Sequence, residues 1–245
     1  KVLATAKKLN YRPNLNAKNL QNKHTGIIGI IIPEFVNSFF PNVVLGIQEV
    51  LYQENYHMVI TQSGENREQE LENLRVLQEY MVDGIIMSIT NEGGNEEEYK
   101  KVIDGGTPMA FFNRCPSGVK AIKVLIDDAN MAAKAVEHLI ATGRRNIWHL
   151  GGPANMHIST MRRQGYINAL TAHGLEHEGK SVTAGIFIKD GYQAMQRLLD
   201  DNAGMPDAIF AFNDPVAIGA IKALKKAGIR IPEDVAIVGF SEGSM

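Results

Sequence analysis

The first twenty-five residues, KVLATAKKLNYRPNLNAKNLQNKHT, contain six lysines and arginines (Lys1, Lys7, Lys8, Arg12, Lys18 and Lys23) and no carboxylate. The whole chain has 25 basic against 27 acidic side chains; without those six, 19 stand against 27, a formal charge of −8. A cationic head on an acidic body does one kind of chemistry well. It contacts a polyanion, and the phosphate backbone of DNA is the natural partner. The head also has internal order. Val2, Ala6 and Leu9 share one helical face, and Asn10 and Pro13 end it, because proline disfavours helix at the preceding residue. Asn14 or Asn16 can cap a short second helix in which Ala17 and Leu20 share a face. The plainer alternative is a basic, partly helical linker.

Residues for covalent or metal chemistry are sparse. His57, His138, His149, His157, His173 and His177 show no metal-ligand spacing, and the single cysteine, Cys115, rules out an intrachain disulfide or a cysteine-rich zinc site. Cys115 reads as a small half-buried side chain near a turn, and Trp148 as core. No GxGxxG or P-loop occurs, GGPANM at 151–156 lacks pyrophosphate spacing, and no Ser/His/Asp or paired-carboxylate arrangement stands out. An enzyme is therefore not expected, nor any cofactor. A hydrophobic fraction of 44% with 21% charged residues is that of an ordinary globular protein of one or two domains. No apolar run approaches ~18 residues and no signal-peptide core follows the basic start, so no membrane contact and a cytoplasmic location are expected.

After Thr25 the pattern alternates between strands and helices. Strands are expected at 26–32, 57–61, 83–89, 108–112 and 121–126, then at 146–151, 182–188, 207–212 and 235–240. Helices are expected at 41–52, 65–81 and 96–104, then at 129–142, 160–173, 191–200 and 215–227. The two series rhyme: VDGIIMS at 82–88 and PDAIFAF at 206–212 each follow an amphipathic helix. Such alternation predicts an α/β chain with two parallel sheets in two lobes, with ligands bound beyond the carboxyl ends of the strands.

LNYRPN at 9–14 and AKNL at 17–20 resemble the junction of the lactose-repressor (LacI/GalR) family of transcription regulators. HTGIIGIIIP, VDGIIM, GRRNIWHLGGP, RRQGY, FNDPVAIGA and IPEDVAIVGFS extend the resemblance, in order, along all 245 residues. It implies a two-lobed type I periplasmic-binding-protein-like fold preceded by the remnant of an all-α DNA-binding headpiece. The implied parts are the headpiece end and hinge at 1–24, an N-terminal lobe at 25–128 and a truncated C-terminal lobe at 129–245. Tyr11, Arg12, Asn14, Ala17, Lys18 and Leu20 would meet operator DNA, with Leu20 wedged into the minor groove. A homodimer and a small effector, a sugar or sugar derivative, are the other implied partners. Family members begin with two further helices and continue for several tens of residues beyond GFS, so the sequence resembles a fragment cut at both ends. A transport or chemotaxis binding protein of the same fold is the alternative, although it has no use for LNYRPN.

The resemblance also points to cleft residues. Asn37, Ser38, Phe39 and Phe40 follow the first strand, and Phe39 or Phe40 would stack on the effector; the alternative is packing at the start of a helix. Asn113 follows the fourth strand with Arg114, where the family often has Asp-Arg; it could bond hydroxyls or only its own turn. Arg162 would offer a fork of donors from a cleft surface, where its loss should leave folding unaffected. Asn213 would face the ligand, with Asp214 either beside it or capping the helix at Pro215. Ser241 replaces a frequent family aspartate, for which Glu242 could compensate.

Overall fold

The computed structural model describes residues 24–36, 38–90, 93–201 and 204–240, together with Thr5 and Lys8. The proposed DNA contacts Tyr11, Arg12, Asn14, Ala17, Lys18 and Leu20 lie outside the described residues, as do Asn37, Ser241 and Glu242. Thr5 and Lys8 are helical and exposed.

The first series of elements is β1 (Ile27–Ile32), α1 (Phe39–Gln53), β2 (His57–Gln62), α2 (Arg67–Glu79), β3 (Gly84–Met87), α3 (Glu96–Asp104), β4 (Met109–Phe112) and β5 (Ile122–Val124). The second is α4 (Asp128–Ala141), β6 (Ile147–Gly151), α5 (His157–Ala172), β7 (Ser181–Thr183), α6 (Ile188–Asp200), β8 (Ala208–Ala211), α7 (Asp214–Lys226) and β9 (Ala236–Val238). One sheet has the order β2-β1-β3-β4-β5 and the other β7-β6-β8-β9, with every pair parallel. In both, the winding reverses beside the first strand, so the loops leaving the neighbouring strands diverge and open a crevice at their carboxyl ends.

The run GIIGIII forms β1 because both faces are covered. Ile30 and Ile32 pack under α1 with Phe40, Val44 and Phe112, while Ile31 points to the opposite face with Leu74, Leu77, Tyr99 and Phe111. A Cβ on Gly29 would lie 2.6 Å from Leu77 Cδ1, so that glycine lets α2 sit close on the sheet. In the second sheet, α4 and α5 cover Phe210 with Val136, Tyr166 and Leu170, and α6 and α7 cover Ile209 with Met195 and Leu224. The sequence rhyme is structural. β3 and β8 hold the third place in their sheets, and the aspartate before each locks the chain entering the first strand. Asp83 accepts from the Thr25 and Gly26 N–H groups at 2.8 and 2.7 Å, and Asp207 from the Arg145 N–H at 2.7 Å.

Several expected bounds move, each for a local reason. The strand expected at 182–188 stops at Thr183. Gly185 takes a φ of +125°, and Asp190 accepts from the Ile186 and Phe187 N–H groups at 3.1 and 2.9 Å, which starts α6 at Ile188. The strand expected at 121–126 shrinks to Ile122–Val124, an exposed edge. The helix expected from residue 160 begins at His157. At its centre, a Cβ on Gly165 would come within 2.1 Å of the Ala129 carbonyl. This backbone approach of α5 to α4 sets where Arg162 meets Asp128.

Candidate effector cleft

A cleft of about 520 Å³ opens between the carboxyl ends of the two sheets, within the roughly 300–1,000 Å³ usual for small-molecule sites. Its walls are mostly apolar. Phe39, Phe40 and Phe112 come from the first lobe, and Ile158, Phe212 and Phe240 from the second.

In the first lobe, Phe39 and Phe40 open α1, with their rings edge to face at 5.2 Å. Phe40 is 3% exposed and leans on Phe112 at 6.2 Å, so it is chiefly core, whereas Phe39 is half-buried and borders the cleft. Asn113 has a φ of +58°, a left-handed conformation that asparagine tolerates better than most residues. Its N–H donates to the Val124 carbonyl at 3.1 Å, while its side-chain amide makes no hydrogen bond among the described residues. Arg114 lies next to it. Its Nη1 donates to both oxygens of Glu65, at 2.7 and 2.9 Å, and its guanidinium lies 5.8 Å from the Phe40 ring centre.

In the second lobe, Arg162 corrects the expectation of an open cleft side chain. It is 5% exposed. Nε donates to Asp128 at 2.8 Å and Nη1 to the Phe212 carbonyl at 2.7 Å, and the guanidinium lies 3.8 Å from the Phe240 ring centre and 4.8 Å from that of Phe212. Burial pulls its pKa below the ordinary value, opposed by Asp128. Nη2 makes no hydrogen bond among the described residues, so one donor is left for the cleft. Asn213 caps α7, its Oδ1 accepting from the Val216 N–H at 2.9 Å and its Nδ2 donating to the Ile186 carbonyl at 3.0 Å. Asp214, considered as the cap, is instead the first residue of α7, and it is not among the residues lining the cleft.

The cleft thus brings together Phe39, Phe40, Asn113, Arg162 and Asn213. Sequence reasoning missed Glu34, Phe112, Asp128, Phe212 and Phe240, which also line it. A signal was present: each lobe ends a strand on Phe-Asn, at 112–113 and 212–213. A smaller pocket of about 280 Å³ adjoins it, sharing Asn113, Arg114 and Asp128 and reaching Cys115 and His157. Cys115 is half-buried as expected, and burial raises its thiol pKa. Among the described residues no group of three metal-ligating side chains occurs, and no helix is long and apolar enough to cross a membrane.

Comparison with known proteins matches this arrangement. Residues 25–243 match the family described as periplasmic binding proteins and sugar binding domain of the LacI family. Catabolite control protein A of Priestia megaterium is 32% identical over 242 residues, covering 98% of this chain and 72% of that protein. The HTH-type transcriptional regulator RegA of Clostridium saccharobutylicum is 32% identical over 244 residues, 99% of this chain and 73% of that one. Among solved structures, the transcriptional regulator CelR–cellobiose complex superposes with a TM-score of 0.79 at 29% identity, over 97% of this chain and 72% of that chain. The chain belongs to the LacI family, as its sequence motifs predict.

Proposed function

We propose that this protein is a transcription repressor whose DNA affinity is controlled by a sugar or sugar derivative held between its lobes. Residues 1–24 carry the hinge toward DNA, 25–128 form one wall of the sensor and 129–245 the other. The observation that carries this reading is the placement of the cleft. Phe39 and Asn113 after strands of one sheet face Phe212 and Asn213 after a strand of the other, so one ligand can touch both lobes and favour their closed arrangement. The relatives are transcription regulators, and one solved relative is a cellobiose complex, which supports a regulator over a transport protein or an enzyme. The outer face of α1 exposes Leu45, Val50 and Tyr52, which suits pairing of α1 and α2 in a homodimer. The test is operator binding by the full-length protein, measured by mobility shift with and without a sugar that raises its melting temperature. Linkage requires that sugar to change operator affinity, and operator to change sugar affinity by the same factor. An effector without any influence on operator affinity would refute the reading.

A further inference from the structure

We infer that the effector is uncharged: a neutral sugar or glycoside is accepted, and its phosphate or uronate counterpart is rejected. The inference deepens the reading above and rests on it.

Two cations line the cleft among the described residues, Arg114 and Arg162. Each is committed to a carboxylate within the protein. Arg114 holds both oxygens of Glu65, with side-chain exposures of 11% and 17%, and Arg162 holds Asp128, with exposures of 7% and 8%. An incoming phosphate would have to displace one of these carboxylates and leave it buried without its partner, a costly exchange. Glu34, 5% exposed, is a second carboxylate on the wall beside Asp128. Glu34 and Asp128 on the wall, with Glu65 behind Arg114, more than balance the two guanidiniums, so the cleft presents no surplus positive charge to draw in an anion.

What the cleft leaves open suits a neutral polyol. The Asn113 amide offers a donor and an acceptor, Arg162 Nη2 offers a donor, and neither is engaged among the described residues. Phe39, half-buried at the cleft edge, supplies an apolar face for the C–H side of a sugar ring. A site built for a phosphate would present unpaired arginine forks.

Calorimetry with the full-length protein against matched pairs tests this: neutral mono- and disaccharides beside the 6-phosphates and uronates of the same sugars, at constant ionic strength. The neutral member of the best pair should bind at least about tenfold more tightly. Tightest binding by a phosphate or uronate would overturn the charge inference and leave carbohydrate sensing intact. Binding of no carbohydrate in either series would overturn the underlying reading and the inference with it. Glu65→Gln gives a second measurement, because it releases Arg114. The gap between the best neutral sugar and its phosphate should narrow by about tenfold, the worth of one charged hydrogen bond. An unchanged gap would show that the ion pair is not what excludes the anion.

Discussion

The cleft is faced by two Phe-Asn pairs and two arginines, one set from each lobe, and the sets are held differently. In the second lobe all but Arg162 Nη2 is tied down. Asn213 caps α7 and bonds the Ile186 carbonyl, while Arg162 is clamped by Asp128, the Phe212 carbonyl and two phenyl rings. In the first lobe Arg114 is engaged by Glu65, but the Asn113 amide makes no hydrogen bond among the described residues. The same residue types at similar strand ends therefore divide the labour. The second lobe is a rigid wall whose polar groups stabilise the fold, and the first lobe supplies the polar side chain most available to a ligand. A matching side chain at a matching position does not by itself mean a matching role.

That contrast can be broken in measurable ways. Arg162→Ala should have the largest effect, about 3–5 kcal/mol of lost stability, because it strands Asp128 in a buried site. Urea unfolding reads it directly, and a loss below about 1 kcal/mol would return Arg162 to the cleft surface. The next effect is acid sensitivity. His149 is the buried histidine among the described residues, lying against Tyr166 and Phe210 with its Nδ1 3.0 Å from the Phe210 carbonyl. Burial, opposed by that carbonyl, lowers its pKa from 6.5 to about 4. The unfolded chain takes up this proton first, so the contribution is full above pH 6.5 and is lost as pH falls toward 4. Between pH 6.5 and 5 about 1.5 kcal/mol should disappear. Denaturant titrations at the two pH values check this, and His149→Phe should flatten the slope. Asn213→Ala comes third, costing about 1–2 kcal/mol for the lost cap and carbonyl bond. A fall in effector affinity with no change in stability would instead make Asn213 a ligand contact.

Much of this was legible in the sequence. The apolar run at 26–32 announced a strand covered on both faces, and the rhyme of VDGIIMS at 82–88 with PDAIFAF at 206–212 announced two similar lobes. Local polar competition was harder to read. The boundary near Ile188 depends on the Asp190 carboxylate reaching back to two N–H groups, and the choice of Asn213 over Asp214 as cap depends on where the backbone leaves β8. The burial of Arg162 was not legible, because its partner Asp128 lies 34 residues away and is brought to it only by the close approach of α4 and α5 at Gly165.

The most direct test of the account is the effector dissociation constant of Asn113→Gly. Glycine takes the left-handed φ of +58° without strain, and the lost side chain makes no bond within the described fold. Stability without ligand should stay within about 0.5 kcal/mol of the parent. Calorimetry with the best neutral sugar should show affinity weakened about three- to tenfold, as for one or two lost neutral hydrogen bonds. An unchanged dissociation constant would contradict a ligand held between the lobes by the free amide of the first.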